Sequence, residues 1–321
     1  MYVNKLIGNT PMIKINYMYK GKENYIFAKL EYYNMTGSIK DRVAYYILTR
    51  AKERGELKDG MPIIEATSGN TGIALAALGK AMGHPVHIFM PDWVSKERLE
   101  LVKGYNATVH QFSHEDGGFI RSIKEAKKLA IEINGFLADQ FANQDNFLAH
   151  YETTGEEIIR QIAEEMGGFV SGVGTGGTLM GVGTKLKEKY NNFAVVAIEP
   201  DTMPLLSGGE IIGNHKIEGI GDEFIPELVD KNKIDEIFLI NDEDAINMSR
   251  KISSELGIGV GISSGANFLG SVLLSDKINN KVVTIFADDN KKYLSTDLSK
   301  SIDLKKEFLS NQIMLLGIEE I

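Results

Sequence analysis

The sequence predicts an α/β protein built from mostly parallel, twisted sheets with helices on both faces. Short β-rich runs alternate with helical runs along the chain, as in consecutive βαβ units. Glycine-rich turns follow two of the predicted strands and lead into helices. The length of 321 residues suits two modest domains or one large one. Ligands in such folds bind at the carboxyl ends of strands, so the informative residues should follow strands.

The individual elements follow from local residue patterns. The terminal segment 301–321 carries scattered apolar residues, which predict a helix, with a subunit interface as one place for it to pack. Helical patterns cover 94–105, 120–133 and 242–256. The predicted strands, rich in β-branched and aromatic residues, are 25–31, 62–67, 86–91, 107–112, 168–173, 194–199, 235–240 and 281–287.

Composition excludes several classes of function. The net charge of −9 is spread along the chain, which argues against a nucleic-acid partner because phosphate binding needs a basic face. Cysteine is absent, so disulfides, thiolate metal sites and cysteine nucleophiles are excluded. The six histidines form no ligand pair, and no metal site is expected.

Nothing in the sequence indicates a membrane partner. The N-terminus lacks an apolar signal core. The longest apolar region, 72–90, is interrupted by Lys80, His84 and Pro85, which would not cross a bilayer. We therefore expect a cytoplasmic protein.

The segment GVGTGGT, residues 172–178, follows a predicted strand and precedes a helix. Such a turn offers free N–H groups and the positive end of a helix dipole, which predicts a phosphate site. No lysine follows the glycines, so an NTPase loop is not indicated. Gly172, Gly174 and Gly177 also match G-x-G-x-x-G, with Glu199 at a ribose-binding distance. A nicotinamide dehydrogenase and an ordinary tight turn both remain open at this point.

The segment ATSGNTGIALA, residues 66–76, places Thr67, Ser68, Asn70 and Thr71 at the start of an apolar helix. One such residue is enough for an ordinary N-cap. Four of them predict a pocket for a carboxylate, bound by hydroxyls and backbone N–H groups. The segment GISSGANFLG, residues 261–270, has the same character.

Ten motifs occur in one order along the chain: IGNTPMIKIN, TGSIKDR, EATSGNTGIALA, DQFANQDNFLAHYETTGEEI, GVGTGGTLMGVG, EP, SGG, KIEGIGDEFIP, GISSGAN and YLST. Together they resemble the cysteine synthase and cystathionine β-synthase group of fold-type II pyridoxal-phosphate enzymes. The resemblance runs from about Leu6 to Thr296.

The resemblance implies an architecture and partners. A smaller αβ domain, 41–145, would close on substrate, and 1–40 plus 146–321 would form a larger cofactor-binding αβ domain. Pyridoxal 5′-phosphate would lie in the cleft between them. A homodimer is implied, and serine acetyltransferase is a possible partner without further support.

The resemblance also assigns roles to residues. Lys40 would form the internal aldimine with the cofactor. The helix dipole beside Lys40 disfavours a structural cation and, with burial, lowers an amine's pKa. Asn70 would bind the phenolic oxygen of the cofactor, and Ser263 would face the pyridine nitrogen. The cofactor phosphate would bind Gly174, Thr175, Gly176, Gly177 and Thr178. The substrate carboxylate would bind Thr67, Ser68, Gly69, Thr71 and Gln140.

A serine at the pyridine nitrogen has a chemical consequence. Its hydroxyl does not keep the ring protonated, so the ring is a weaker electron sink. Loss of a β-leaving group is then favoured over transamination. The resemblance implies β-elimination or β-replacement through an α-aminoacrylate, with Lys40 shuttling the proton at Cα.

The sequence departs from the family at two places. Asp222-Glu223 stands where O-acetylserine-using cysteine synthases carry Ala-Gly and cystathionine β-synthases carry Tyr-Asp. The pair is either a solvated turn or a carboxylate at the site that activates water or a thiol. Ala287-Asp288-Asp289 replaces a usual proline–Asp/Ser–Ser pattern, which puts cofactor contacts there in doubt.

These features favour an enzyme that consumes L-cysteine and releases hydrogen sulfide. Water or a second thiol amino acid would add at Cβ, giving serine, lanthionine or cystathionine, with Asp222 activating the nucleophile. The alternative is a biosynthetic cysteine synthase that uses O-acetylserine and sulfide. A nicotinamide dehydrogenase and a catalytically silent homologue are more distant hypotheses.

Overall fold

The computed structural model describes residues 2–300 and 305–321. Eleven strands and ten α-helices are present in these ranges. The strands are β1 (Met12–Tyr19), β2 (Lys22–Leu30), β3 (Ile63–Ala66), β4 (Val86–Pro91), β5 (Thr108–Phe112), β6 (Phe136–Leu137), β7 (Gly168–Gly172), β8 (Ala194–Pro200), β9 (Glu236–Ile240), β10 (Val282–Phe286) and β11 (Ile313–Glu320). The helices are α1 (Lys40–Glu53), α2 (Asn70–Met82), α3 (Lys96–Gly104), α4 (Gly118–Glu132), α5 (Gln144–Ala149), α6 (Gly155–Gln161), α7 (Gly177–Lys189), α8 (Asp242–Leu256), α9 (Ile262–Ile278) and α10 (Leu309–Gln312).

Two sheets organise the chain. The larger has the order β11-β1-β2-β10-β7-β8-β9, and the smaller has the order β5-β4-β3-β6. All pairings are parallel except those of β1 with β2 and with β11. The predicted fold class is therefore confirmed.

Both faces of the larger sheet are covered. Ile26 and Val170 pack in a core with residues of α8 and α9. Their neighbours Phe27 and Phe169 belong to a second core with residues of α7. Alternate strand residues thus point to opposite buried faces, which explains why these strands read as continuous apolar runs.

The smaller sheet is built entirely from residues between 63 and 137. Its core includes residues of α1 and α2, among them Val43, Ile47 and Leu75. The division into a smaller domain, 41–145, and a larger one, 1–40 plus 146–321, stays a prediction. Within the described residues, no helix combines the length and apolarity that a bilayer crossing demands.

The predicted C-terminal helix is wrong over most of its length. Only Leu309–Gln312 is helical, and Ile313–Glu320 is a strand antiparallel to β1. Ile313 and Leu315 face inward, whereas Met314 and Leu316 are exposed. The run IMLL hides this two-residue alternation because both faces carry apolar residues. The part of the prediction that covers 301–304 lies outside the described residues.

Candidate active site

A cavity of about 650 Å³ lies between elements of the two sheets. Turns that follow β3 and β7 open into it, as expected for the carboxyl ends of parallel strands. Of the predicted site residues only Gly177 is not in the cavity wall, and it begins α7 directly behind the wall. The wall contains Lys40, Thr67, Ser68, Gly69, Asn70, Thr71, Gln140, Gly174, Thr175, Gly176, Thr178, Asp222 and Ser263.

Lys40 is held at the first position of α1 by the turn before it. The carboxylate of Asp41 accepts the Thr36 N–H at 2.8 Å and the Thr36 hydroxyl at 2.6 Å. Gly37 has φ +81°, which favours glycine. The Ile39 N–H donates to the Ala287 carbonyl at 2.9 Å and fixes the turn to the end of β10. The lysine backbone is therefore anchored on both sides.

The side chain of Lys40 is partly buried and lies in the wall of the cavity. Burial lowers the pKa of Lys40, while the charges of Asp222 and Asp288 oppose this effect. A lowered pKa increases the neutral fraction of the amine, which is the form that attacks a carbonyl. These features suit a lysine that attacks an aldehyde, and the role that the resemblance assigns to Lys40 stays a prediction.

The glycine loop forms a close-packed cradle at the start of α7. A Cβ on Gly174 would lie 2.4 Å from the Gly219 carbonyl oxygen, and one on Gly177 would lie 2.0 Å from Asn146 Oδ1. Asn146 also donates from Nδ2 to Thr175 Oγ1 at 2.9 Å. Only glycine fits at the two positions, and the N–H groups of the helix start remain available to an anion.

His150 supports this cradle from behind. It is fully buried in a single π-helical turn, His150–Thr154. Its Nδ1 hydrogen-bonds with Thr154 Oγ1 at 3.0 Å and its Nε2 with Thr178 Oγ1 at 3.2 Å. Burial, with the charges of Lys40 and Arg42, places the pKa of His150 well below its ordinary value. The ring is therefore neutral.

The predicted carboxylate pocket is ordered by hydrogen bonds around Gln140. The Thr71 hydroxyl donates to Gln140 Oε1 at 2.5 Å, and Gln140 Nε2 donates to the Ala66 carbonyl at 3.1 Å. The buried Glu65 accepts the Gln140 N–H at 3.1 Å. Gly69 N–H donates to Thr67 Oγ1 at 3.1 Å. The loop after β3 and the turn after β6 thus form one unit.

Asp222 enters the cavity because the residue before it is pinned. The Gly221 N–H donates to the Val173 carbonyl at 2.9 Å, and the Gly221 carbonyl contacts His215 Nε2 at 2.6 Å. Gly221 has φ +72°, and its Cβ would meet Pro200 at 2.8 Å. Burial raises the pKa of Asp222 to about 6, the charge of Lys40 opposes this, and that of Glu223 adds to it. Of the two acids only Glu223 is exposed.

The ribose-binding role considered for Glu199 is not supported. Glu199 is 2% exposed, and its carboxylate accepts the N–H groups of Leu206 and Ser207 at 2.8 and 2.9 Å. It is not part of the cavity wall. The G-x-G-x-x-G match is therefore coincidental, and Glu199 holds a turn.

Sequence reasoning missed several residues at the site. Arg98 of α3 is 2% exposed, lies against Gly69 and forms an ion pair with Glu218. Its guanidinium also lies over the ring of Tyr293 at 4.6 Å. Arg98 lies in the predicted helix 94–105 and Lys292 in a polar segment, and neither position carries a local signal of burial. Their burial depends on loops that lie far along the chain.

Comparison with known proteins identifies the class of enzyme. Residues 3–288 match the family model described as pyridoxal-phosphate dependent enzyme. The chain belongs to this family and is a pyridoxal-phosphate-dependent enzyme. A probable cysteine synthase of Bacillus subtilis is 42% identical over 299 residues, which cover 91% of this chain and 96% of that protein.

Solved structures agree with this assignment. A hydrogen sulfide-producing enzyme from Fusobacterium nucleatum has a TM-score of 0.95 at 47% identity, covering 100% of this chain and 98% of that one. A cysteine synthase from Entamoeba histolytica has a TM-score of 0.87 at 38% identity, covering 96% and 93%. The chain is thus cysteine synthase-like in fold and belongs to the β-replacement class.

The residues of the cavity fit pyridoxal phosphate. A glycine cradle at a helix start suits its phosphate, and the amine of Lys40, whose pKa burial lowers, suits its aldehyde. Ser263, 5% exposed, supplies a hydroxyl in the wall. The loop 174–178 and the loop 67–71 both contribute to the wall of this cavity, so one cavity can hold cofactor and substrate groups together.

Proposed function

We propose that this enzyme consumes L-cysteine, releases hydrogen sulfide and adds water or a second thiol amino acid at Cβ. The products would be serine, lanthionine or cystathionine. One observation carries the proposal: Asp222 places a partly buried carboxylate in the wall of the same cavity as Lys40. A carboxylate there suits deprotonation of an incoming nucleophile and repels hydrosulfide, the second substrate of a cysteine synthase.

The residues of the wall divide between cofactor and substrate. Gly174 to Thr178 would hold the cofactor phosphate at the start of α7, Asn70 its ring oxygen and Ser263 its ring nitrogen. Thr67, Ser68, Gly69, Thr71 and Gln140 would hold the substrate carboxylate. When bound, pyridoxal phosphate withdraws electrons from Cα and so allows the β-substituent to leave.

Lys40 would move the proton at the substrate Cα. Its lowered pKa lets the neutral amine accept that proton and later return it. Asp222 would act at Cβ. For water, the carboxylate accepts a proton from the oxygen as the Cβ–O bond forms, after the Cβ–S bond has broken and hydrosulfide has left. The balance is cysteine plus water to serine plus hydrogen sulfide.

Two comparisons bear on the choice of substrate. The Fusobacterium relative is described as hydrogen sulfide-producing, and an aspartate-to-asparagine variant of it was solved in complex with an α-aminoacrylate intermediate. This supports cysteine as the substrate and an aspartate as a functional group. The Bacillus relative, named as a probable cysteine synthase, favours O-acetylserine and sulfide instead. That biosynthetic reaction is the second candidate.

The test is sulfide release from L-cysteine as the sole amino acid, with the co-product identified by mass. Rapid sulfide with serine or lanthionine supports the proposal. Absence of sulfide, with fast cysteine formation from O-acetylserine and sulfide, overturns it in favour of cysteine synthase. Asp222→Asn should slow product formation, and unchanged turnover in that variant would remove Asp222 from the mechanism. A homodimer, serine acetyltransferase as a partner and a cytoplasmic location stay predictions.

A further inference from the structure

Asn70, the proposed ligand of the cofactor ring oxygen, sits between two buried groups of opposite charge. Its Oδ1 accepts from Lys292 Nζ at 3.0 Å, and its Nδ2 donates to Asp288 Oδ2 at 2.7 Å. Lys292 is 3% exposed and Asp288 is 1% exposed. Asp288 lies in the segment 287–289 that departs from the family pattern, and Lys292 follows that segment.

These charges select one orientation of the Asn70 amide. Rotating the amide by 180° would set its oxygen against the Asp288 carboxylate and its NH₂ group against the Lys292 ammonium. Both contacts would then be repulsive in a buried place, where unpaired polar groups cost the most. In the observed orientation, Asp288 uses one of the two Nδ2 hydrogens, and the other can serve a ligand in the cavity.

Lys292 also joins Asn70 to the turn that carries Lys40. Its Nζ donates to the Gly37 carbonyl at 2.9 Å, three residues before Lys40. Its backbone carbonyl accepts from the Ser95 hydroxyl at 2.8 Å, next to α3. The Tyr293 hydroxyl donates to Asp288 Oδ2 at 2.7 Å and fixes that carboxylate in turn. One lysine therefore links the start of α1, the start of α2 and the loop after β10.

We infer that Lys292 is a positioning residue that, together with Asp288, sets the Asn70 amide to donate to the cofactor and ties it to the Lys40 turn. The inference rests on the proposed cofactor role of Asn70 and not on the identity of the amino-acid substrates. Its test needs no turnover, so a failure of the cysteine proposal would leave it standing.

The experiment is a double-mutant cycle on cofactor affinity. Pyridoxal phosphate is titrated into cofactor-stripped wild type, Lys292→Met, Asn70→Ala and the double variant, and Kd is read from the visible absorption. We expect each single change to raise Kd ~tenfold or more. In the Asn70→Ala background, Lys292→Met should add less than about threefold, because it acts through Asn70. If the double variant raises Kd by the product of the two single-variant factors, the residues act independently and the inference is overturned.

Lys291→Met is the matched control. Lys291 is the preceding residue, but its side chain is 82% exposed and, among the described residues, forms an ion pair only with Asp289 at 3.2 Å. We expect its Kd and absorption maximum to equal those of wild type. If Lys292→Met does not fold, Lys292→Gln removes the charge and keeps a donor. A wild-type Kd and a wild-type absorption maximum in Lys292→Gln would also overturn the inference, and a raised Kd with a shifted maximum would support it.

Discussion

Arg42 and Glu157 form a buried two-point ion pair, in which Nη1 donates to Oε1 and Nη2 to Oε2, each at 2.7 Å. Arg42 Nε also donates to Glu31 Oε2 at 2.7 Å. Lys29 lies 2.9 Å from Glu157 Oε2 on the other side. Since Arg42 follows Lys40 by two residues, this cluster anchors the first turn of α1 to β2 and α6.

Loss of Arg42 should destabilise the protein strongly. Arg42→Met leaves the carboxylates of Glu31 and Glu157 without their main partner, and removing one member of a buried pair costs about 3–5 kcal/mol. The free energy of unfolding of Arg42→Lys should lie between those of wild type and Arg42→Met, because a single ammonium cannot bond both carboxylates in the same way. Urea unfolding measures the effect. Arg50→Met removes an exposed pair with Glu152 on the same helix and should cost less than about 1 kcal/mol. Equal losses in the two methionine variants would contradict the prediction.

The same cluster predicts sensitivity to acid. Burial alone would raise the pKa of Glu157, but Arg42 and Lys29 lower it from 4.5 to about 2. A lowered carboxyl pKa stabilises the fold fully above pH 4.5, and the contribution is lost as pH falls from there towards 2. Urea midpoints should therefore decline in this window. In Glu157→Gln the decline should be shallower. Glu319→Gln removes a carboxylate of lowered pKa from an exposed pair, where solvent screens the interaction, and should flatten the slope less.

Glu65 should make the protein less stable as pH rises, which is the opposite of the effect of Glu157. Burial raises its pKa to about 8, although the N–H groups of Gln140 and Ala66 oppose this. Between pH 4.5 and 8 the folded protein therefore takes up a proton that the unfolded chain releases. Stability from this group falls by about 1.4 kcal/mol per pH unit across the window. The difference in unfolding free energy between wild type and Glu65→Gln should decline with pH at about this rate. A constant difference would refute the raised pKa.

Asp222 should control how the reaction rate falls at acid pH, that is, the acid limb of the pH–rate profile. Its pKa of about 6 predicts that kcat for formation of serine or lanthionine from L-cysteine rises as pH increases through about 6, where the carboxylate forms. Asp222→Asn should lose this limb as well as rate. Glu223→Gln removes the neighbouring negative charge, so the limb should move to lower pH at nearly full activity. A limb that persists unchanged in Asp222→Asn would assign it to another group.

Gly174 should tolerate no side chain. The Cβ of Gly174→Ala would lie 2.4 Å from a backbone oxygen, that of Gly219, so the loop must shift away from the start of α7. Affinity for pyridoxal phosphate should fall by ~tenfold or more, which absorption titration measures. Gly104→Ala, whose Cβ meets nothing within 4 Å at the end of α3, is the control and should bind normally. Normal binding by Gly174→Ala would argue against the loop as the phosphate site.

Much of the fold could be predicted because its information is local. All eight predicted strands lie at strands of the structure, since buried parallel strands appear as short apolar runs between turns. The antiparallel strands β1 and β11 and the two-residue strand β6 were missed. In β11 the exposed Met314 and Leu316 are as apolar as the buried Ile313 and Leu315, so the alternation that marks a strand is absent.

The site could be predicted only in part. Motifs such as TSGNTG and GVGTGGT place their residues in the cavity because the motif and the turn are the same piece of chain. The partners of those motifs lie far away. Lys292 reaches Asn70 across 222 positions, and Arg98 pairs with Glu218 across a domain-sized distance in sequence. The local sequence around a charged residue does not indicate that it pairs with a residue far away in the chain.

The hydrogen bonds of His150 have a consequence for the direction of proton donation in the site. A neutral imidazole carries its proton on one nitrogen only, so it donates on one side and accepts on the other. If Thr178 donates its hydroxyl to the cofactor phosphate, it must accept from Nε2–H, and Nδ1 must then accept from Thr154. Binding of the anion would select this tautomer. The hydrogen bonds from Thr154 through His150 to Thr178 would then all point the same way, with each group donating towards the phosphate.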